Sequence, residues 1–281
     1  MDTHAKSLVE RLGRAPDARL VILNCDDLGS SHAANVAALE AVEQGIATSA
    51  TLMVPCPWAL EATRLFAGKD VGVHLTLTAE YPNYRWRSLT GADSLHDDEG
   101  FLPLTAAEVW AKARLDDIRE ECRAQIDQAL DWGVDVTHLD SHMGVNQMEP
   151  RCYELYLELA SEYRLPLRMA GKSADGALGF PVRAPADARR IVHPDDFHFR
   201  WKSPTVELLK RHVPAMAPGV TEFLIHPVLD GPELRGYDLD AAQVRVDDHA
   251  CATDPQVREL FETENIELIS FRPLRDLQRA H

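Results

Sequence analysis

The feature that most constrains this chain is an alternation of short apolar, β-branched runs with helix-like stretches, sustained from residue 19 to residue 271. The run RLVILN at 19–24 reads as a strand. Residues 31–44, rich in Ala, with Ser30 or Ser31 as a cap and Gly45 as a stop, read as a helix. Strands over 48–54, 70–76, 134–139, 165–169, 221–225 and 266–271 continue the pattern, interleaved with helices over 58–67, 116–132, 149–163, 205–211 and 254–265. Such alternation specifies a mainly parallel sheet wrapped by helices, either an open doubly wound sheet or a barrel. Three stretches, 80–104, 171–203 and 228–250, interrupt it, and connections of that length usually build or cover a site. With no internal repeat, low-complexity tract or linker rich in Pro, Gly or Ser, residues 1–281 are expected to form a single α/β domain.

Charge narrows the partners. Lys and Arg total 29 against 45 Asp and Glu, a formal net charge of -16, which argues against nucleic acid or an anionic membrane surface. The opening residues MDTHAKSLVERLGR are charged, broken by Gly13 and without the apolar core of an export signal. No stretch reaches the ~18 continuous apolar residues of a membrane span, so a cytoplasmic protein with no membrane partner is expected. The five cysteines are scattered, odd in number and without CxxC spacing, which suits reduced core residues rather than disulfides or a thiolate zinc site.

Polar residues collect where the strands end. Asp26 and Asp27 follow the first, His74 ends VGVHLTL, His138, Asp140 and His142 follow VDVT, Arg168 ends PLRM, and His226 ends EFLIHP. In barrels and open α/β sheets the carboxyl ends of the strands share one face, so these residues can meet in one pocket. Two adjacent buried acids require a positive partner. One Asp and two His from separate strand ends make a divalent-cation site; an acid that ligates is held ionised, while its neighbour, pointing the other way on an extended chain, can accept a proton from water. On an extended chain His138 and His142 lie about 13 Å apart, too far to share an ion. His142, on the following loop, is therefore the expected ligand, and His138, within the strand, a supporting or structural residue.

These residues carry a resemblance. NCDDLGSS resembles the N-x-D-D-[FL]-G signature of the YdjC-like family of carbohydrate deacetylases, and the likeness continues through GIATSATLMV, GVHLTL, THLDSH, PLRM, LIHP and ATDPQVRELFETENIELISF. The resemblance implies a distorted TIM-like (β/α) barrel, one divalent metal ion (Mg2+ or Zn2+) and removal of an N-acetyl group from a small saccharide. By position it implies Asp27, His74 and His142 as metal ligands, Asp26 as general base and His226 as general acid. Arg168 could orient Asp26, contact substrate, or form a structural ion pair at its strand end. Members closest to the chitooligosaccharide enzymes carry a pattern like DSHxHxH, whereas here the run is DSHMGVN, so the metal set carries over and the substrate does not. Tyr81, Tyr84 and Trp86 in the 80–104 loop could stack on sugars or simply pack the loop. Two other chemistries fit parts of the pattern: a metal-independent glycoside hydrolase using Asp26 and Asp140, and a non-haem iron enzyme with a 2-His-1-carboxylate site. Self-association through the helices is open to such a barrel, with no symmetry indicated.

Overall fold

The computed structural model describes residues 6–172 and 174–280. Residues 1–5 of the stretch read for an export signal, Ser173 of the second interruption, and His281 lie outside the described residues.

Among the described residues seven strands, β1 Arg19–Leu28, β2 Ser49–Leu52, β3 Val71–Leu75, β4 Val136–Ser141, β5 Asp196–His198, β6 Gly219–Ile225 and β7 Glu267–Leu268, pair with one another in parallel. Their order is β4-β3-β2-β1-β6-β5, with β7 on β1. The remaining gap is crossed by irregular chain. Leu167 bridges Leu139 of β4, its N–H donates to Val192 O at 3.1 Å, and the Asp195 N–H donates to Val220 O of β6 at 2.7 Å. The sheet thus curls into a distorted (β/α) barrel. Residues 165–169, expected as a strand, supply only this bridge, because Pro166 has no N–H to add to a ladder. The last strand likewise shrinks to two residues, as the chain turns into the helix Arg272–Arg279.

The helices His32–Glu43, Leu115–Asp131, Pro150–Tyr163, Thr205–His212 and Pro255–Thr263 fall where the periodicity put them. Ser31 caps the first, its Oγ accepting the Ala34 N–H at 3.0 Å. Residues 228–250 are no plain loop: they contain Pro232–Tyr237 and most of the helix Ala242–Thr253. That second helix escapes a hydrophobic-stripe reading because Arg245 and Asp248 lie on its buried face.

Strand alternation sorts the barrel interior into layers. On β1 the inward residues run Leu20, Ile22, Asn24, Asp26. Leu20 and Ile22 pack with Leu8, Val220, Phe271 and Leu274 into an apolar plug at the amino ends of the strands. Above it, the His138 ring stacks on Phe271 with centroids 3.6 Å apart. Gly72 faces that ring so closely that a Cβ would lie 2.6 Å from it, so no other residue fits there unchanged. The uppermost layer is polar: Asp26, Thr51, His74, Asp140 and Arg168 are all buried. The five cysteines are free and buried. Among the described residues no helix is long and apolar enough to cross a membrane.

Candidate metal centre and active site

The register of β1 against β2 shifts between Cys25 and Leu28, and Asp27 there adopts a left-handed backbone with φ 61°. A non-glycine residue stays in that region only where surrounding contacts enforce it. The side chain at this turn is held by Arg245, whose Nη1 donates to Asp27 Oδ2 at 2.8 Å. Asp26 and Asp27 are separated by this bulge and turned backbone, rather than by simple strand alternation.

Asp27 Oδ1 is buried and has no hydrogen-bond partner among the described residues. It faces His74 Nε2 at 3.4 Å and His142 Nδ1 at 3.2 Å, and the two ring nitrogens are 3.3 Å apart. A triangle of this size fits one ion, since bonds of about 2.0–2.2 Å set tetrahedral ligands roughly 3.3–3.6 Å apart. The far nitrogen of each ring is held by a carboxylate: His74 Nδ1 by Asp140 Oδ1 at 2.6 Å and His142 Nε2 by Glu80 Oε2 at 2.8 Å. Each carboxylate accepts from the distal nitrogen, so that an ion entering the triangle would displace the near proton and meet a lone pair of each ring, the usual support of metal-ligating histidines. His142 reaches the triangle because the chain bends directly after β4, through a short turn in which Met143 has φ 49°.

Electrostatics agree with the geometry. Burial disfavours a charged imidazole, yet Asp140, with Asp27 and Asp26, raises the His74 pKa to about 10. Burial of His142 is likewise outweighed by Glu80 and Asp27, which raise it to about 9. Burial would also raise Asp27, but Arg245 and then His142 hold it well below the usual carboxylate range. The pocket is built for positive charge.

Asp26 stands outside this triangle. Arg168 grips it with Nη1 to Oδ2 at 2.6 Å and Nη2 to Oδ1 at 2.7 Å, and Asn24 Nδ2 donates to Oδ1 at 2.8 Å. Burial opposes its ionisation, but the Arg168 charge prevails and brings its pKa down to about 2. Oδ2 takes only one of these bonds, so a lone pair remains for water. Arg168 also reaches Asp140 Oδ2 at 2.9 Å and Glu222 Oε1 at 2.7 Å, placing one guanidinium among three acids. Asp26, His74 and Asp140 form a second group with donor atoms close enough for an ion. That place is already taken by Arg168. The same clamp argues against a glycosidase pair, which needs one of its acids protonated and free.

His226, directly after β6, keeps 12% of its side chain exposed, and its Nδ1 lies 3.9 Å from Asp248 Oδ2. The Asp248 carboxylate is fixed by the His226 N–H at 2.8 Å and by Thr205 Oγ1 at 2.5 Å. Burial lowers the His226 pKa to about 4, so the ring is neutral at pH 7. His138 is in neither group; its ring is stacked on Phe271 in the middle layer of the barrel. The structure also brings in Glu80, Glu222, Arg245 and Asp248, none of which the strand-end pattern revealed. Glu80 follows directly on GVHLTLTA, but Arg245 and Asp248 sit on a helix without an apolar stripe and gave no local signal. The 80–104 loop approaches the centre through Glu80, while Tyr81 and Trp86 are buried and Tyr84 donates to Ser30 O at 2.5 Å, so these aromatics pack the loop.

Fold and site together define a parallel α/β barrel with a two-histidine, one-aspartate centre able to hold a metal ion at the carboxyl ends of its strands. The chain belongs to the YdjC-like protein family, whose model matches residues 20–263. It is 35% identical over 277 residues to a carbohydrate deacetylase of Thermus thermophilus, covering 95% of this chain and 96% of the relative. A carbohydrate deacetylase of Geobacillus stearothermophilus is 33% identical over 263 residues, covering 90% and 97%. A crystal structure of an Enterococcus faecalis protein, provisionally described as a cellobiose-phosphate cleavage protein, superposes with a TM-score of 0.78 at 26% identity, covering 92% of this chain and 99% of that one.

Proposed function

We propose that this chain is a metal-dependent carbohydrate N-deacetylase that hydrolyses the acetamide of a small N-acetylated saccharide. The observation that carries the reading is the unpartnered Asp27 Oδ1 completing a triangle with His74 and His142, in a chain similar over nearly its whole length to proteins named carbohydrate deacetylases. Asp27, His74 and His142 would hold the ion, and two imidazole donors favour zinc over magnesium. Bound there, a divalent ion lowers the pKa of a water and polarises the acetyl carbonyl.

Asp26, held ionised by Arg168, accepts the proton of the attacking water through the free lone pair of Oδ2. Its low pKa makes it a modest base, so Arg168 secures orientation at some cost in basicity. The C–N bond breaks only if the departing amine receives a proton. In this reading His226 delivers it; because the ring is neutral at rest, donation begins with a proton released in the same turnover, and the Asp248 carboxylate, 3.9 Å from Nδ1, stabilises the charged ring. The acidic surface suits a cytoplasmic enzyme acting on a neutral small molecule rather than on nucleic acid.

The test is acetate release from a panel of N-acetylated saccharides, with metal analysis of the same sample. One equivalent of metal per chain and acetate release abolished by a chelator and restored by zinc are expected. Acetate release that survives complete chelation would sink the metal-dependent reading, and glycosidic cleavage without acetate would favour the Asp26/Asp140 chemistry.

A further inference from the structure

Most aromatic side chains around the centre are buried, as Tyr81, Trp86 and Tyr237 are, but Phe199 and Trp201 are not. They stand two residues apart on the segment between β5 and the helix Thr205–His212, with 41% and 40% of their surfaces exposed. Leaving this much aromatic surface in water forgoes burial energy, and paired apolar exposure at the rim of a site marks a binding surface.

Both rings meet His226 edge to face, Trp201 with centroids 5.0 Å apart at 79° and Phe199 at 5.6 Å and 62°. They are also neighbours, 6.2 Å apart. The indole is not adrift: the Arg245 guanidinium lies 5.5 Å from its centroid. Arg245 is itself fixed by Asp27 at 2.8 Å, Asp238 at 2.8 Å and Tyr81 Oη at 2.6 Å. One arginine therefore touches both the carboxylate that faces the metal position and the exposed indole beside His226.

We infer that Phe199 and Trp201 form the platform for the sugar ring bearing the acylated amine, the apolar C–H face of the pyranose lying on the indole. The inference rests on the deacetylase reading and adds the surface that selects a saccharide over a simple acetamide. A flat ring bordering His226 holds the amine next to the proposed donor, and the polar ring edges stay in water. A purely structural alternative is that Trp201 only covers Arg245; that role would act on the metal centre and not on the sugar.

The experiment separates the two by measuring saccharide binding and metal content on the same variants. Calorimetric titration uses N-acetylglucosamine and its β-1,4-linked di- and trisaccharide as probes. Trp201→Ala should weaken binding by about tenfold or more with metal equivalents unchanged, Trp201→Phe should restore most of it, and Phe199→Ala should lose a smaller factor. Trp58→Ala, which removes another exposed indole, one that packs against His32, should bind as the wild type does. The platform is overturned if Trp201→Ala loses metal in step with sugar, if it binds undiminished, or if the wild type binds none of the probes. Binding that depends on Trp201 without any acetate release would leave the platform standing and remove the deacetylase reading instead.

Discussion

Arg245 holds one oxygen of Asp27 at 2.8 Å and so leaves the other facing His74 and His142. A single ion pair thus decides which oxygen is available for a metal. Arg245→Gln should weaken metal affinity by about 10 to 100-fold, the usual cost of removing a residue that orients a ligand. Competition against a graded chelator measures it; unchanged affinity would show that the left-handed backbone alone orients Asp27.

The two adjacent acids should respond differently to loss of charge. Asp27→Asn is expected to lose metal, whereas Asp26→Asn should keep it and reduce turnover by about 10² to 10⁴-fold as a general base is lost. Metal analysis beside acetate assays distinguishes these, and the reverse pattern would exchange the two roles.

The histidines and the carboxylates that hold them fall into three tiers. His74→Ala and His142→Ala should empty the centre, while Asp140→Asn and Glu80→Gln should lower metal affinity about 10 to 100-fold. His138→Ala should retain the metal and instead lower the unfolding midpoint, because its ring is stacked on Phe271 inside the barrel. Full metal content in His74→Ala would refute the ligand set.

His226→Ala should retain metal and lose turnover on amide substrates more than on acetyl esters with good leaving groups, whose departure needs no proton. Equal losses on both would assign the residue to binding.

Glu222 carries a pH signature. Its burial, opposed by Arg168 but reinforced by Asp140 and Asp26, raises its pKa from 4.5 to about 7. Between these values the folded protein holds a proton that the unfolded chain has released, so stability falls as pH rises from about 4.5 to 7. Glu222→Gln should flatten that decline in denaturant titrations at a series of pH values. A pH dependence identical to the wild type would mean that Glu222 is ionised throughout.

The sequence by itself determined the class of fold and the location of the site. A β-branched run, a cap such as Ser31 and a stop such as Gly45 are written in contiguous residues, and hydrogen bonds and burial along one segment read them out directly. The strand-end residues Asp26, Asp27, His74, Arg168, His142 and His226 could be collected on one face because parallel strands carry all their carboxyl ends to the same side. Only the tertiary structure decided how they are wired. Pro166 and the bulge at Asp27 replaced regular strand with irregular chain, and Arg245, 218 residues from Asp27, became its partner. The pairing of Arg168 with Asp26 spans 142 residues. Contacts over such separations leave no periodic trace in either segment, since the polar faces they create run against the hydrophobic pattern that announces a helix or strand; they exist only once barrel closure brings the segments together and burial forces every charge to find a partner.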